Sequence, residues 1–219
     1  MRIGMQLKSE QFTHLSKATS MTDPKTLLEM IGVESTPSAL SHSALILIDC
    51  QNTYKDGPVK LVGIDNALLE IQKLISRSRK TGSPIIHIRH DAGPGSSYDV
   101  QGETGAIISK VAPEGDEPTI TKKHPNSFFG TDLHERLQKL NINKLIIAGF
   151  MTHCCVSSTV RAGFDLGYQM TVIGEATATR DLKSATGNVI PAMALRDSSL
   201  AGISDIFACV ISNSDQLPD

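Results

Sequence analysis

The stretch KLIIAGFMTHCCVSSTVRAGF, from Lys144 to Phe164, combines the pattern of a buried strand with that of a helix. Its apolar run 145–150 has the length and the Ile-rich character of a buried strand, whereas Val156, Val160 and Phe164 recur at the four-residue spacing of an amphipathic helix. The segment therefore predicts a strand that passes directly into a helix, with the second of its two adjacent cysteines in the first helical turn.

That second cysteine, Cys155, is a candidate nucleophile because of its position. A helix N-terminus favours an anion, so the pKa of a thiol there falls below its usual value of about 8.5. Most free cysteines are buried and pack as small apolar side chains, which is our interpretation of Cys50, Cys154 and Cys209. We expect Cys155 to be the reactive thiol, with a redox disulfide between Cys154 and Cys155 as the alternative for that pair.

Strand and helix patterns alternate along the rest of the chain, which predicts βαβ units and a parallel sheet. We therefore expect an α/β fold, a three-layer α/β/α sandwich around a doubly wound, six-stranded, mainly parallel sheet. This domain covers residues 41–219, and residues 1–40 form an N-terminal extension, with one short helix ending at Ile31, that packs on the domain or on a partner subunit. The predicted strands are 44–49, 84–89, 119–121, 145–150, 170–173 and 206–211, and the predicted helices are 64–80, 132–140, the segment after Cys155 and part of 184–203.

Length and charge restrict the class of protein. The 219 residues fit one domain, and 21 Lys and Arg against 23 Asp and Glu give a net charge of −2 without a basic block, which argues against nucleic-acid binding. The apolar runs are too short to cross a bilayer, and the N-terminus lacks the apolar core of a signal peptide. The cysteine spacing does not resemble a secreted disulfide framework. We expect a soluble cytoplasmic protein that does not bind membranes.

Polar residues follow three of the predicted strands, at or near their carboxyl ends: Asp49, Lys122 and Cys155. Because the carboxyl ends of parallel strands meet at one edge of a sheet, these side chains are expected to converge there. A carboxylate that closes an apolar run needs hydrogen bonds or a cationic partner, and Lys122 is the candidate for that partner. Taken singly, Asp49 is also explained as a loop cap and Lys122 as a solvated surface residue.

Three segments resemble the motifs of one superfamily. LILIDCQNTY (45–54) is similar to an opening strand with a catalytic Asp, ITKKHPNSFFGTDLHERL (120–137) to the segment of a catalytic Lys, and AGFMTHCCVSSTVRAGFDLGY (148–168) to a nucleophile segment. By their order and separation, the chain from about residue 43 to 212 is identified as a member of the isochorismatase-like cysteine hydrolases, which include isochorismatase, nicotinamidase and several amidohydrolases.

The resemblance implies an enzyme without a cofactor that acts on a small molecule through Asp49, Lys122 and Cys155. Asp49 takes the thiol proton, Lys122 orients the pair, and the thiolate attacks an amide or a related C–N bond. The resemblance also implies a cis Phe150–Met151 peptide, an oxyanion hole made of the backbone N–H groups of Met151 and Cys155, and a homo-oligomer, either a dimer or a tetramer.

The sequence departs from the nicotinamidases at their metal site. Those relatives place an Asp and two His after the second strand, whereas HIRHD (87–91) has a different order. His87 and His90 lie three apart in a strand and so point to opposite faces, which makes a poor chelate. We expect no metal site, and we interpret both histidines as core or pocket-lining residues.

The substrate pocket is assigned by position in the motifs. Tyr54 and Phe128 are candidate walls, and Arg89 and His153 are candidate polar contacts near the thiol; ordinary packing is the alternative for each. The glycine-rich loop DAGPGSSYDVQGETG (91–105) follows a strand and is either a lid or specificity loop or a surface loop without a role.

Two other functions stay open besides amide hydrolysis. One is hydrolysis of a vinyl ether of the isochorismate type, in which Asp49 acts as an acid and Cys155 is not acylated. The other is a member of the fold that binds a ligand without catalysis. An intact set of Asp49, Lys122 and Cys155 favours an enzyme.

Overall fold

A computed structural model describes residues 23–219 of the chain. Eight strands and five helices follow one another along it. The strands are β1 (Ala44–Ile48), β2 (Ile85–His90), β3 (Thr119–Lys122), β4 (Lys144–Phe150), β5 (Gln169–Ala178), β6 (Leu182–Lys183), β7 (Val189–Ile190) and β8 (Cys209–Ile211). The helices are α1 (Leu27–Met30), α2 (Ile64–Thr81), α3 (Leu133–Lys139), α4 (Ser157–Asp165) and α5 (Ala192–Ser204).

Six of these strands form one sheet in the order β3–β2–β1–β4–β5–β8, and every neighbouring pair is parallel. The chain starts at β1, moves outward through β2 and β3, and then returns to the other side of β1 with β4. The predicted fold class is confirmed. The small antiparallel pair β6–β7, which lies outside the main sheet, was not predicted.

Helices cover both faces of the sheet, as a three-layer sandwich requires. On one face α2 contributes Leu68, Ile71 and Leu74 to a core that it shares with β1 and β5. On the other face α3, α4 and α5 contribute Leu137, Val160 and Ile203 to a second core. Burial of such side chains on both faces explains why the central strands are continuous apolar runs.

The ends of α2 show why the sequence forms a helix over this span. Gly82 closes the helix in the left-handed conformation, with φ +71, and its N–H bonds back to the carbonyl of Ser78. Arg79 and Lys80 occupy the last turn, where positive charge favours the helix dipole. None of the helices within residues 23–219 is both long enough and apolar enough to cross a membrane.

The described part of the N-terminal extension contacts the body of the fold. The backbone N–H of Leu27 donates to the carboxylate of Asp205 at 2.8 Å, and that of Ser38 donates to the Thr171 hydroxyl at 3.1 Å. The helix of this extension, α1, is shorter than predicted. Thr26 and Glu29 form a capping box, so the helix begins only at Leu27. The remainder of the predicted extension, residues 1–22, lies outside the described part of the chain.

A charged network fastens β2 and the end of α2 to the segment before β3. Glu117 accepts from Arg79 Nε at 2.8 Å and lies 3.1 Å from His87 Nε2. Burial would raise the pKa of Glu117, but the bonds from Arg79, from the backbone N–H of Glu114 and from His87 lower it to about 2. This network gives His87 a structural role.

Replacing Glu117 by glutamine is expected to lower the free energy of unfolding at pH 7 by about 1–2 kcal/mol. Because the folded-state pKa lies below the ordinary value of 4.5, the ionised carboxylate stabilises the fold above pH 4.5, and this contribution is lost as the pH falls toward 2. Urea unfolding at a series of pH values down to about 3 measures it. Glu114→Gln, which removes the more exposed partner of Arg79, is the matched control with a smaller effect. A difference between Glu117→Gln and wild type that does not change with pH would contradict the prediction.

Candidate active site

The candidate site lies where the sheet reverses its strand order. Asp49 directly follows β1, and Cys155 lies five residues beyond the end of β4, the strand that pairs with β1 on the opposite side from β2. In open α/β sheets a crevice forms beyond the carboxyl ends of two such strands. Residues from separate parts of the chain therefore meet here.

Asp49, Lys122 and Cys155 form one contiguous cluster. Lys122 Nζ lies 2.7 Å from Asp49 Oδ2 and donates to Cys155 Sγ at 3.3 Å. The three residues are 0%, 1% and 6% exposed, respectively. Lys122 ends β3, the outer strand, and its long side chain reaches past β2 to join the other two residues. The structure thus brings together the three residues that the sequence placed at one edge.

Cys155 belongs to a π-helical turn, Thr152–Val156, that precedes α4. Cys155 therefore lies in the first turn of the helical segment, as predicted, but that turn is π-helical rather than α-helical. The turn is tied to the end of β5, because the Thr152 hydroxyl donates to the carbonyl of Ala178 at 3.1 Å and His153 Nδ1 lies 2.5 Å from the Thr179 hydroxyl. π-Helical turns occur frequently at functional sites.

Close backbone approach sets the distance between β1 and the strand that leads to the thiol. Gly149 has φ +116, and a Cβ atom there would lie 2.1 Å from the carbonyl oxygen of Ile48. Only glycine fits this position. Asp49 itself has φ +50, a left-handed conformation that Asp adopts more readily than most residues. The peptide bond between Phe150 and Met151 is cis, as the resemblance implies.

The Cys155 thiol is held in its protonated form. The adjacent Cys154 thiol and burial raise its pKa above the ordinary value, and the Lys122 ammonium offsets this only in part. The adjacent Cys155 in turn lowers the pKa of the half-buried Cys154. The low pKa expected for Cys155 from a helix N-terminus is therefore not found, and its ionisation requires a base.

Asp49 has the properties of that base. Burial raises its pKa, and the neighbouring Cys155 adds to the rise while Lys122 opposes it. Burial alone would lower the pKa of Lys122, but Asp49 and Cys155 raise it, so the amine stays an ammonium. A carboxyl group with a raised pKa beside a thiol with a raised pKa exchanges a proton with it at a smaller free-energy cost than an ordinary carboxylate would.

Two of the four predicted pocket residues lie at the cluster. Tyr54 is buried, and burial raises its pKa, with smaller contributions from Asp49 and Cys155. His153 lies in the π-helical turn beside the thiol. Both positions are compatible with a pocket at this edge of the sheet.

Arg89 and Phe128, by contrast, contact other parts of the fold. Arg89 Nε donates to the Thr121 hydroxyl at 3.0 Å, and in a strand its side chain points to the face opposite His90. Phe128 stacks on Tyr168 at 5.5 Å and packs beside Gly163 of α4, as a core aromatic. Their assignment to the substrate pocket stays a prediction.

The two histidines of β2 have separate surroundings. His87 interacts with Glu117, whereas His90 is the register partner of Lys122 and places Nδ1 3.5 Å from Lys122 Nζ. Within residues 23–219 no group of three or more His, Cys, Asp and Glu side chains is arranged to hold a metal ion. His90 thus lies at the cluster, and His87 does not, whereas the sequence left both as core or pocket-lining residues.

Sequence reasoning did not assign Gln51 or Tyr98 to the site. Tyr98 belongs to the 91–105 loop, and Gln51 contacts its two ends. The Gln51 side chain accepts from the backbone N–H of His90 at 2.8 Å and donates to the carbonyls of His90 and Gly105 at 2.9 and 2.8 Å. It therefore joins the two ends of the loop, and Tyr98 lies near the middle of it. The Gln-Asn pair after the first strand was the available signal for Gln51. The residues that Gln51 contacts, His90 and Gly105, are far from it in sequence, so the sequence did not predict these bonds.

Comparisons with known proteins agree with this fold. The family model described as Isochorismatase domain matches residues 43–212. The crystal structure of an isochorismatase from Pseudomonas putida KT2440 superimposes with a TM-score of 0.84 at 43% identity, covering 89% of this chain and 99% of that one. The secreted isochorismatase effector Isc1 of Verticillium dahliae is 32% identical over 187 residues, covering 85% of this chain and 96% of its own. The ureidoacrylate amidohydrolase RutB of Enterobacter sp. is 29% identical over 180 residues, covering 66% of this chain and 78% of its own.

Proposed function

We propose, from the premise that this chain belongs to the isochorismatase family of hydrolases, that it is a cysteine hydrolase of a small-molecule amide or related C–N bond. The observation that carries the proposal is the buried cluster of Asp49, Lys122 and Cys155, in which an ammonium contacts both a carboxylate and a thiol. An amidohydrolase among the relatives, RutB, supports a C–N bond as the target.

In the proposed reaction Asp49 is the general base and then the general acid. It takes the proton of the Cys155 thiol, and the thiolate sulfur forms a bond to the carbonyl carbon. Asp49 then gives the proton to the leaving nitrogen as the C–N bond breaks, which leaves a thioester on Cys155. Water attacks the thioester with Asp49 again as base, and the acid product leaves as the thiol is restored. Lys122 balances the charge of the carboxylate throughout.

The oxyanion of each tetrahedral intermediate is proposed to bind the backbone N–H groups of Met151 and Cys155. Both lie at the junction of β4 with the π-helical turn, on the segment that carries the sulfur. Fixed donors of this kind, aimed at charge that develops in the transition state, typically contribute about 10²- to 10³-fold to the rate.

Vinyl-ether hydrolysis is the competing activity within the same family. It needs a proton donor, and Asp49 with its raised pKa suits that role as well. It does not need an acylated sulfur. The hydrogen bond from Lys122 to Cys155 is the observation that favours the cysteine route over this one, and over a member that only binds a ligand.

Acyl trapping on Cys155 separates these functions. We expect p-nitrophenyl esters and p-nitroanilides of small carboxylic acids to acylate the protein, because both leave a thioester after the first step. Rapid acid quench, intact mass and fragmentation of the peptide that contains Cys154 and Cys155 locate the acyl group. Cys154→Ala is the matched control and is expected to acquire the same adduct.

Two results would contradict the cysteine route. One is consumption of an enol ether such as isochorismate without any adduct on Cys155. The other is failure of every one of these esters and anilides to acylate Cys155.

A further inference from the structure

Tyr98, from the 91–105 loop, packs against residues of the candidate site. Its ring lies 5.7 Å from Tyr54 and 5.2 Å from His90, edge-on to both. Tyr54 in turn lies 6.0 Å from Phe150, again edge-on. We call Tyr54, His90, Tyr98 and Phe150 the aromatic wall. Edge-to-face contacts of this kind are favourable beyond the area that they bury.

The aromatic wall lies directly beside the reacting groups. His90 contacts Lys122 Nζ, and Phe150 precedes the segment of Met151 and Cys155. Burial raises the pKa of Tyr98, and the proximity of Cys155 adds to the rise. Tyr54 and Phe150 are 1% and 0% exposed, whereas His90 and Tyr98 are partly exposed, so these two rings are the accessible part of the aromatic wall.

The aromatic wall carries no charge at neutral pH. Burial and the Lys122 ammonium lower the pKa of His90 to about 4, so its imidazole is neutral. Phe150 is apolar, and the pKa of both tyrosines is raised. A surface of neutral rings favours a flat, weakly hydrated group over a charged or puckered one.

We propose that Tyr98 is the specificity-determining residue of the site, and that with the aromatic wall it selects substrates whose acyl group is flat and uncharged, either aryl or a conjugated alkenyl group. This inference rests on the proposed function, because the acyl group is the part that Cys155 would bind covalently. It gives the 91–105 loop the role of specificity loop.

The backbone around Tyr98 fixes its ring in place. Gln51 holds both ends of the loop, and Gly105 packs so closely on Asp99 that a Cβ atom would lie 2.1 Å from the Asp99 carbonyl oxygen. Asp99 also accepts from the backbone N–H groups of Gly95 and Gln101, at 2.8 and 3.0 Å. A side chain held in this way selects by shape.

Alkylation by two matched α-bromoketones tests the proposal without requiring turnover. The reagents are 2-bromo-1-phenylethanone, which is flat, and 2-bromo-1-cyclohexylethanone, which is puckered. Their rates at Cys155 are divided by their rates with glutathione, and peptide fragmentation separates Cys155 from Cys154. We expect the phenyl-to-cyclohexyl ratio to fall about tenfold in Tyr98→Ala and to stay within about twofold of wild type in Tyr98→Phe, which keeps the ring.

The outcomes separate this inference from the proposed function. The same ratio in wild type, Tyr98→Ala and Tyr98→Phe overturns the role of Tyr98. If the ratios follow the expected pattern but no ester or anilide acylates Cys155, the role of Tyr98 in selectivity is supported and the proposed hydrolysis is contradicted. If Tyr98→Ala does not fold, as judged by circular dichroism, Tyr98→Leu replaces it, because leucine fills the space without being flat.

Discussion

Replacement of Cys155 by alanine is expected to reduce turnover by about 10⁴-fold or more, as removal of a catalytic nucleophile does in other covalent hydrolases. The reason is that neither Asp49 nor Lys122 can form the acyl intermediate in place of the sulfur. Loss of one buried sulfur atom should change the free energy of unfolding by only about 1 kcal/mol. Steady-state rates and urea unfolding of the same preparation measure the two effects separately.

Cys154→Ala is the matched control for this experiment. It removes the neighbouring thiol, which is half-buried and has no hydrogen bond to Lys122 among residues 23–219, and leaves Asp49, Lys122 and Cys155 in place. We expect it to retain most of the activity. Wild-type turnover by Cys155→Ala, or the same large loss in both variants, would be incompatible with Cys155 as the nucleophile.

Replacement of Lys122 by methionine is expected to lower the free energy of unfolding at pH 7 by about 3–5 kcal/mol, in addition to abolishing turnover. Asp49 is fully buried, and without the ammonium at 2.7 Å its charge has no counterion. The deficit should depend on pH. Because Lys122 lowers the pKa of Asp49, its loss raises that pKa further, so the deficit relative to wild type is absent at low pH, where the carboxyl group is protonated in both proteins, and grows as the pH rises.

Two further variants make this test specific. Lys123→Met changes the adjacent, exposed lysine and is expected to alter stability by less than about 0.5 kcal/mol. The double variant Asp49→Asn with Lys122→Met removes both charges and should recover part of the lost stability without recovering turnover. Wild-type stability of Lys122→Met at every pH would show that Asp49 and Lys122 are not coupled in the folded protein.

Much of the fold was predictable because its strands are buried on both faces. ALILI and KLIIAGF are short apolar runs between helical patterns, and their alternation with helices leaves few topologies other than a parallel sheet. β5 was predicted too short, since its second half, GEATA, lacks strand-like residues. The structure extends it through a register shift opposite 147–149.

The convergence of Asp49, Lys122 and Cys155 was also predictable, because each follows a parallel strand. The residues that surround the cluster were harder to predict. To decide which of Arg89 and His90 lies beside Lys122, one needs the register of β2 against β3, which pairs His90 with Lys122. Phe128 is close to Lys122 in sequence, but the chain turns it toward Tyr168. Tyr98 reaches the site only through the path of an irregular loop, which has no periodicity to interpret.

The way in which Gln51 joins His90 to Gly105 has a consequence for how this scaffold diversifies. One side chain, two residues after Asp49, closes the whole 91–105 loop at its base. Residues 92–104 thus form a segment between two fixed ends. At one end Gln51 bonds to the backbone of His90, and at the other Gly105 leaves no room for a side chain. Substitutions confined to this segment would leave Asp49, Lys122 and Cys155, which lie on separate parts of the chain, in place.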